Sequence, residues 1–571
     1  MEELLAAVAD AVQRAGGEAI CHEGRLADVA DERTVCVVVP HEYFVLTRRP
    51  EPALLARTIG FGVEHPGTAT FETARSFAHS LAATVEIAAD SVREMRRRGV
   101  AAERFVLGCS PMWDRQAPGQ ARDVDVAHLG TADRSRMAML AAIAPDLCRY
   151  RTELVIAPHE PMTAGRPDFL AGTRKWELLA RSRLLLNLHR EGATAFEWVR
   201  ALEAISNGCV VLTAPSNGLA PLVPGEHVLV SDPARMALVA AAALDEPGNL
   251  DGIAAAAREV CDAELDMVAS AGRLLDLAGS VAAKAPAPPP RVPSRTARPV
   301  ETPLAVWVPC ERELPDPSGP ADLDMARLLR EVARLRAASP GRRVTRHTAA
   351  RHNVDVLCAA MPGDGPLART LGSLDGTNVF VAAVGGEAVS DQGGLCGLVE
   401  YSECVARGQA RNDLLTLGAA PYVLIVDAGD ELLGDSLAHV VAALDADDTA
   451  QVAYPMAVIG SRMIVNALVP DARRLSGFAY LSRGYLVRRS WLDAVGGFGV
   501  EPELDGYEDH DFWQRTTGLG GHARLVRRVG LSLWDRIPQV TLAGADPAAV
   551  RAMFAERAAL RTRPAGQAAR R

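Results

Sequence analysis

Lysine is almost missing from this chain: Lys175 and Lys284 are the only two, and every other basic residue is arginine. The alanine-rich composition accompanies that bias, so the arginine excess carries no functional reading by itself. Cysteine is sparse, with ten residues and no CxxC pair or metal-ligand spacing, which argues against a zinc ribbon or a disulfide framework. Several cysteines, Cys36, Cys209 and Cys358 among them, fall inside apolar runs, as buried free thiols do. The expected setting is a reducing, cytoplasmic one. No apolar run approaches the ~20 residues that span a bilayer. The first residues, MEELLAAVADAVQRAGG, read as an acidic amphipathic helix without the basic segment of a secretory signal. Peripheral contact with a membrane-borne acceptor is left open. The net charge of −10 argues against a general nucleic-acid binder.

What is present is α/β rhythm. At 571 residues the chain exceeds one core and calls for two to four domains. Through the first 280 or so residues, short β-branched runs alternate with longer helical patterns, as in a parallel α/β sheet. VCVVVPHEYF (Val35 to Phe44) reads as a buried strand running into a polar loop, and EHPGTATFE (Glu64 to Glu72) as a turn entering a helix. RFVLGCSPMWD (Arg104 to Asp114) reads as a strand with a Pro-bearing loop. A second unit starts at VDVAHLGTADRSRMAML, which suggests two nucleotide-binding-type halves. KWELLARSRLLLNLHRE and FEWVRALEAISNGCVVLT each read as a helix feeding a strand, and PLVPGEHVLV as a loop and strand.

KAPAPPPRVPSRTARPVETP, Lys284 to Pro303, cannot bury a core and reads as an extended spacer. A helix with Leu and Val at helical spacing follows in DLDMARLLREVARLRAA. From Val354 the rhythm resumes, and an Ala/Arg-rich tail closes the chain. The expected division is a module over 1–280, a linker and connector over 281–350, a module over 351–545, and a tail over 546–571.

The chemistry gathers late in the sequence. LIVDAGDE (Leu424 to Glu431) puts carboxylates at a strand end, where such a pair can hold a divalent cation against a diphosphate. GYEDHDFWQR (Gly506 to Arg515) puts Glu508 and Asp509 at a helix entry, where a carboxylate can take a proton from a sugar hydroxyl. Asp511 and Arg515, four apart on that helix, can simply pair. Acids at helix starts also serve as caps, and an Asp at a strand end is common loop chemistry.

With ARND (Ala410 to Asp413) and VGGF (Val495 to Phe498), those segments resemble the family 2 glycosyltransferases of the GT-A fold over residues 352 to 540. The resemblance implies Mg²⁺ or Mn²⁺ held by Asp427 and Asp430, donor binding by Arg411 and Asn412, and Asp509 as the base beside Glu508. Gly429 stands where the family's pattern puts a further acid. The family's Asp-rich turn after the second strand is replaced by VGGEAVSD, with Gly385, Gly386 and Glu387, and the first strand ends in MPGDG. Residues 35 to 280 resemble the GT-B glycosyltransferases grouped near families 1 and 4, on EHPGT, DVAHLGTADRSR, KWELLARSRLLLNLHRE, FEWVRALEAISNGCVVLT and PLVPGEHVLV. That implies Lys175 and Arg181 on the donor diphosphate and Glu197 and Glu203 on ribose or sugar hydroxyls. Both basic residues also suit an exposed surface, and Glu197 a solvated helix face. His41, His65 and His189 are candidate bases or structural histidines.

The fold class implied is α/β: GT-B-like Rossmann halves followed by a GT-A nucleotide-diphospho-sugar transferase domain. The implied function is a bifunctional, hexosyltransferase-type enzyme. It takes a nucleotide-sugar donor and a glycan, lipid-linked or protein acceptor, and its C-terminal module inverts the anomeric centre. In the alternative, the N-terminal module is a non-catalytic domain that holds the acceptor or a partner.

Overall fold

The strands form where leucine, valine and alanine run uninterrupted. Ser182–Asn187 has Leu184, Leu185 and Leu186 without solvent exposure, and Tyr422–Asp427 has Val423, Ile425 and Val426 equally covered. Burial on both faces is what a sheet covered by helices on each side requires. The computed structural model describes residues 2–22, 24–29, 31, 33–46, 51–117, 119–157, 169–286, 312–313, 342–347, 350–384, 394–460, 462–475, 478–500, 504 and 506–535. The expected spacer after Pro286, the helix over DLDMARLLREVARLRAA, the VGGEAVSD turn beyond Val384 and the tail over 546–571 lie outside the described residues.

The chain divides into two compact units, Met1–Arg136 with Glu160–Val306, and Met137–His159 with Trp307–Arg571. In the first, Cys36–Val38, Thr58–Gly62, Ala83–Glu86 and Ala102–Arg104 pair in that order, every neighbour parallel. A second parallel set runs Val124–Thr131, Ser182–Asn187, Val210–Thr213, Leu229–Val230. Both sets are parallel, as the α/β rhythm of the first 280 or so residues predicts.

Helices Thr173–Arg181 and Trp198–Ser206 feed the strands Ser182–Asn187 and Val210–Thr213, as their patterns predict. The helix after EHPGT is capped by Thr68, whose Oγ1 accepts from the Phe71 N–H at 3.2 Å. Two readings need correction. The segment after Val38 is not a loop but the helix Pro40–Leu46, because proline's fixed φ suits a first helical turn that has no use for its N–H. RFVLGCSPMWD is strand only at its first residue, since the strand Ala102–Arg104 ends there.

In the second unit, Val354–Ala360 lies at the middle of a mixed sheet, parallel to Asn378–Val384 on one side and Tyr422–Asp427 on the other. Leu395–Tyr401 continues it in parallel, and Arg342–Arg346 closes that edge antiparallel. Beyond Tyr422–Asp427 come Leu486–Arg488 (antiparallel), Ala450–Ile459, His522–Leu533 and Glu431–Leu432. The core fills from Val356, Cys358, Val381, Val426 and Leu444. Asp427 is the last residue of its strand, paired with Ala359, so its side chain emerges at the carboxyl end of the parallel strands, where open α/β sheets bind ligands.

Candidate functional site

In the second unit the four late motifs meet. The helix Arg407–Leu415 carries ARND, and the helix Glu508–Gly518 carries the ED pair. Asn412 exchanges two hydrogen bonds with Phe498: its Nδ2 donates to the Phe498 carbonyl and its Oδ1 accepts from the Phe498 N–H, both at 2.9 Å. That clamps VGGF to ARND. Arg515 donates to the carbonyls of Val495 and Gly497 and pairs with Asp511 through Nη2 at 2.8 Å, which fixes VGGF to the ED helix. The Asp511–Arg515 pair therefore has the structural role open to it in the sequence.

Arg411 joins the two carboxylate pairs. Its Nη2 lies 3.1 Å from each oxygen of Asp427, and its Nη1 donates to Asp509 Oδ1 at 2.8 Å. Tyr485 OH donates to the same Asp509 oxygen at 3.1 Å. Arg407 grips Asp364 with two bonds of 2.8 and 3.0 Å and approaches Asp427 at 3.3 Å and Glu508 at 3.5 Å. Asp509 keeps 12% of its side chain accessible, whereas Asp427 and Asp430 have none. Of the acids here, Asp509 is the most accessible. Burial raises Glu508 above the usual carboxylate range, partly offset by Arg411, and its Oε2 has no hydrogen-bond partner among the described residues. Burial depresses Arg411, but Asp509 and Glu508 overcome it and hold the guanidinium firmly charged.

The divalent cation implied for Asp427 and Asp430 can be tested against the donor set. A carboxylate offers about four lone-pair sites. Asp430 accepts from Arg483 Nε at 2.7 Å, Arg483 Nη2 at 2.9 Å, the Trp534 N–H at 2.9 Å and the Asp427 N–H at 2.9 Å. Asp427 faces Arg411, Arg407 and, at 3.4 Å, Arg483. No group of three His, Cys, Asp or Glu suited to a metal occurs among the described residues. As arranged, the pair does not fit a divalent cation.

In the first unit the four predicted donor residues do not converge. Lys175 pairs with Glu203 at 2.6 Å and with Glu3 of the first helix, and Trp176 Nε1 donates to Glu203 at 3.1 Å. Glu203 is 3% exposed, so this is an internal polar knot tying the helix Glu2–Arg14 to the sheet's helices. Arg181 pairs with Asp123 on the surface. Glu197 lies elsewhere, before the helix Trp198–Ser206, with Arg136 Nη2 at 3.2 Å and Arg200 Nη2 at 3.9 Å. Burial opposes its charge, but Arg200, Arg136 and Arg190 outweigh that and hold its carboxyl below the usual range.

Near Glu197 the structure adds Arg136, Arg190 and Arg200, which sequence reasoning missed, and places two of the candidate histidines. Arg190 follows the strand Ser182–Asn187, and its Nη1 lies 3.7 Å from Glu64 Oε2. His41 Nε2 lies 3.3 Å from Glu64 Oε1, and burial lowers His41 against the pull of Glu64. Glu86, at the end of the strand Ala83–Glu86, is pushed up to about 8, by burial first and by Glu64 next. His189 Nε2 meets Ser216 Oγ at 3.0 Å. Three guanidinium groups against the carboxylates of Glu197 and Glu64 leave an excess of positive charge near the carboxyl ends of a parallel sheet, a setting for an anion. The signal was in the text, since Arg136 and Arg190 both lie inside quoted segments, but arginine is so common in this chain that neither stood out.

Residues 134–276 match a family model described as glycosyl transferase-like, a segment that includes Lys175, Arg190, Glu197 and Glu203. No curated protein matches the sequence. Among solved structures, sucrose-phosphate synthase from Thermosynechococcus elongatus is 12% identical over 40% of this chain and 68% of its own, with a TM-score of 0.31. S. aureus TarS 1-349 in complex with UDP-GlcNAc is 17% identical over 34% of this chain and 61% of its own, at 0.27. WaaG, a glycosyltransferase involved in lipopolysaccharide biosynthesis, is 15% identical over 48% of this chain and 94% of its own, at 0.33. Likeness at that level decides nothing about substrate or mechanism. No described helix is long and apolar enough to cross a membrane. The family match falls on the α/β segment that the sequence assigned to sugar transfer, and on it the enzyme class stands: a glycosyltransferase.

Proposed function

We propose that the chain transfers a sugar from a nucleotide-sugar donor to a glycan, lipid or protein acceptor, with transferase modules in both its N-terminal and C-terminal parts. The observation that carries sugar transfer is the glycosyl transferase-like match over residues 134–276, which bears on the N-terminal part alone. In the N-terminal module the donor diphosphate lies against Arg190 and Arg200, with Glu197 beside them for a sugar or ribose hydroxyl; Arg136, buried and bonded to Leu188, Thr131 and Glu197, holds Glu197 in place. Lys175 and Glu203 then support the fold behind this site, and Arg181 stands outside it.

In the C-terminal module Asp509 acts as general base toward an acceptor hydroxyl. The support is its partial exposure beside otherwise buried acids and the meeting of ARND, DAGDE, VGGF and GYED around Arg411. A base on the face opposite the leaving diphosphate inverts the anomeric centre. No step here is routed through a metal ion. A cytoplasmic location and a peripheral approach to a lipid-linked acceptor belong to the same proposal.

A second reading keeps the N-terminal module as an acceptor- or partner-binding domain. It is favoured by the Lys175–Glu203–Glu3 knot, which withdraws two predicted donor contacts into the interior. Glu197→Gln and Asp509→Asn, each assayed for total product with a panel of UDP-, GDP- and dTDP-sugars, separate the readings. Loss of product in both supports two catalytic modules. Loss with Asp509→Asn alone makes the N-terminal module a binding domain, and loss with neither refutes both site assignments.

A further inference from the structure

We infer that the acidic strand end of the C-terminal unit is closed by arginine and takes no divalent cation. Three guanidinium groups, those of Arg407, Arg411 and Arg483, stand where a cation would neutralise Asp427, Asp430 and their neighbours. The inference does not depend on which donor, if any, is turned over.

Three features build this closure. The first is saturation, since Asp430 accepts four hydrogen bonds and Asp427 meets three arginines. Each of those arginines is itself almost fully buried. The second is sequence-local: Gly429 has φ +93°, and a Cβ there would lie 2.6 Å from Gly365 Cα and 2.9 Å from both Gly365 N and Trp534 Cβ. An acid at 429 has no room, so the strand end cannot supply a third carboxylate at that point.

The third feature is the cover. Gly365 N–H donates to the Ala428 carbonyl at 3.0 Å, Gly429 N–H donates to Thr370 Oγ1 at 2.9 Å, and the Trp534 N–H binds Asp430. Two contacts thus pin the backbone at 428 and 429, and the third holds the Asp430 side chain. A cation entering between Asp427 and Asp430 would have to expel Arg483, which holds Asp430 through two bonds and donates to the Trp534 carbonyl at 3.0 Å. Arginine does not deprotonate to make way, so ejection would leave a buried positive charge unpaired.

The test is Mn²⁺ binding by the full chain, read by electron paramagnetic resonance and water-proton relaxation, first with Mn²⁺ alone and then with UDP added. The expected result is a free-Mn²⁺ signal undiminished by protein, and with UDP a relaxation rate that Asp427→Asn and Asp430→Asn leave unchanged. Uptake that persists in both Asp427→Asn and Asp430→Asn lies elsewhere and agrees with the inference. Uptake of one ion that either substitution abolishes overturns it. Should those variants fail to fold, Fe²⁺-driven hydroxyl-radical cleavage of the wild-type chain locates the ion directly. Cuts within 427–431 overturn the inference, and their absence there supports it.

Discussion

Arg411 Nη1 lies 2.8 Å from Asp509 Oδ1 while the same guanidinium holds both oxygens of Asp427 at 3.1 Å. One side chain therefore sets the distance between the strand-end acid and the helix-entry acid. Arg411 has no solvent exposure, so removing it strands buried carboxylates rather than freeing them to water. Arg411→Met is expected to cost about 3–5 kcal/mol, as breaking a buried ion pair from one side does. Urea unfolding of the full chain, followed by tryptophan fluorescence, measures it.

Asp509→Asn keeps the hydrogen-bonding shape toward Arg411 and Tyr485 but removes the base. If the C-terminal module transfers sugar, product formation is expected to fall by about 10²–10⁴-fold, with a lowered thermal midpoint as well, because Asp509 is the leading counter-charge of buried Arg411. Steady-state product assay beside a melting curve checks both halves of that statement.

Asn412→Ala would leave the N–H and C=O of Phe498 without their partners in a site where Phe498 is fully covered. The expected loss is about 2–4 kcal/mol, one to two unsatisfied buried groups. A hydrogen-exchange comparison should localise the loosening to 495–498 and 407–415.

Much of this arrangement could be read in the sequence because it depends on spacing along single elements. ARND and GYED lie on helices whose ends the pattern marks, and LIVDAGDE is a strand whose apolar run stops at Asp427. What could not be read is which charges meet across elements. Arg483 and Arg407 are 76 residues apart in the chain yet both face Asp427. In a chain this rich in arginine, composition gives no hint of which ones are buried. Lys175 misled for the opposite reason: being one of two lysines made it conspicuous, but its partners are Glu203 and Glu3, the latter 172 residues earlier.

Glu86 supplies a pH test of the first unit. Its carboxyl rises from an ordinary 4.5 to about 8, chiefly through burial, so the folded chain binds this proton more tightly than the unfolded chain does. Its contribution is therefore fully present below about pH 4.5 and is lost as pH rises through 8. Glu86→Gln removes that dependence. The thermal midpoint of wild type relative to the variant should fall between about pH 5 and pH 8.5, by the equivalent of a few kcal/mol.

Arg190 and Lys175 separate binding from support. Arg190→Ala should raise the donor KM of the N-terminal module by about 10-fold or more, as loss of one charge-assisted contact does, with a melting point near wild type. Lys175→Met should do the reverse, lowering the melting point and leaving KM close to wild type. Kinetics and melts on the same preparations decide the assignment.

The account rests most directly on sugar transfer itself, and nucleoside-diphosphate release from a panel of UDP-, GDP- and dTDP-sugars tests it. The account predicts turnover of at least one donor by the wild-type chain and its disappearance in the double variant Glu197→Gln, Asp509→Asn. Turnover undiminished in the folded double variant, or no release from any donor even with mixed glycan, lipid and protein acceptors present, would contradict it.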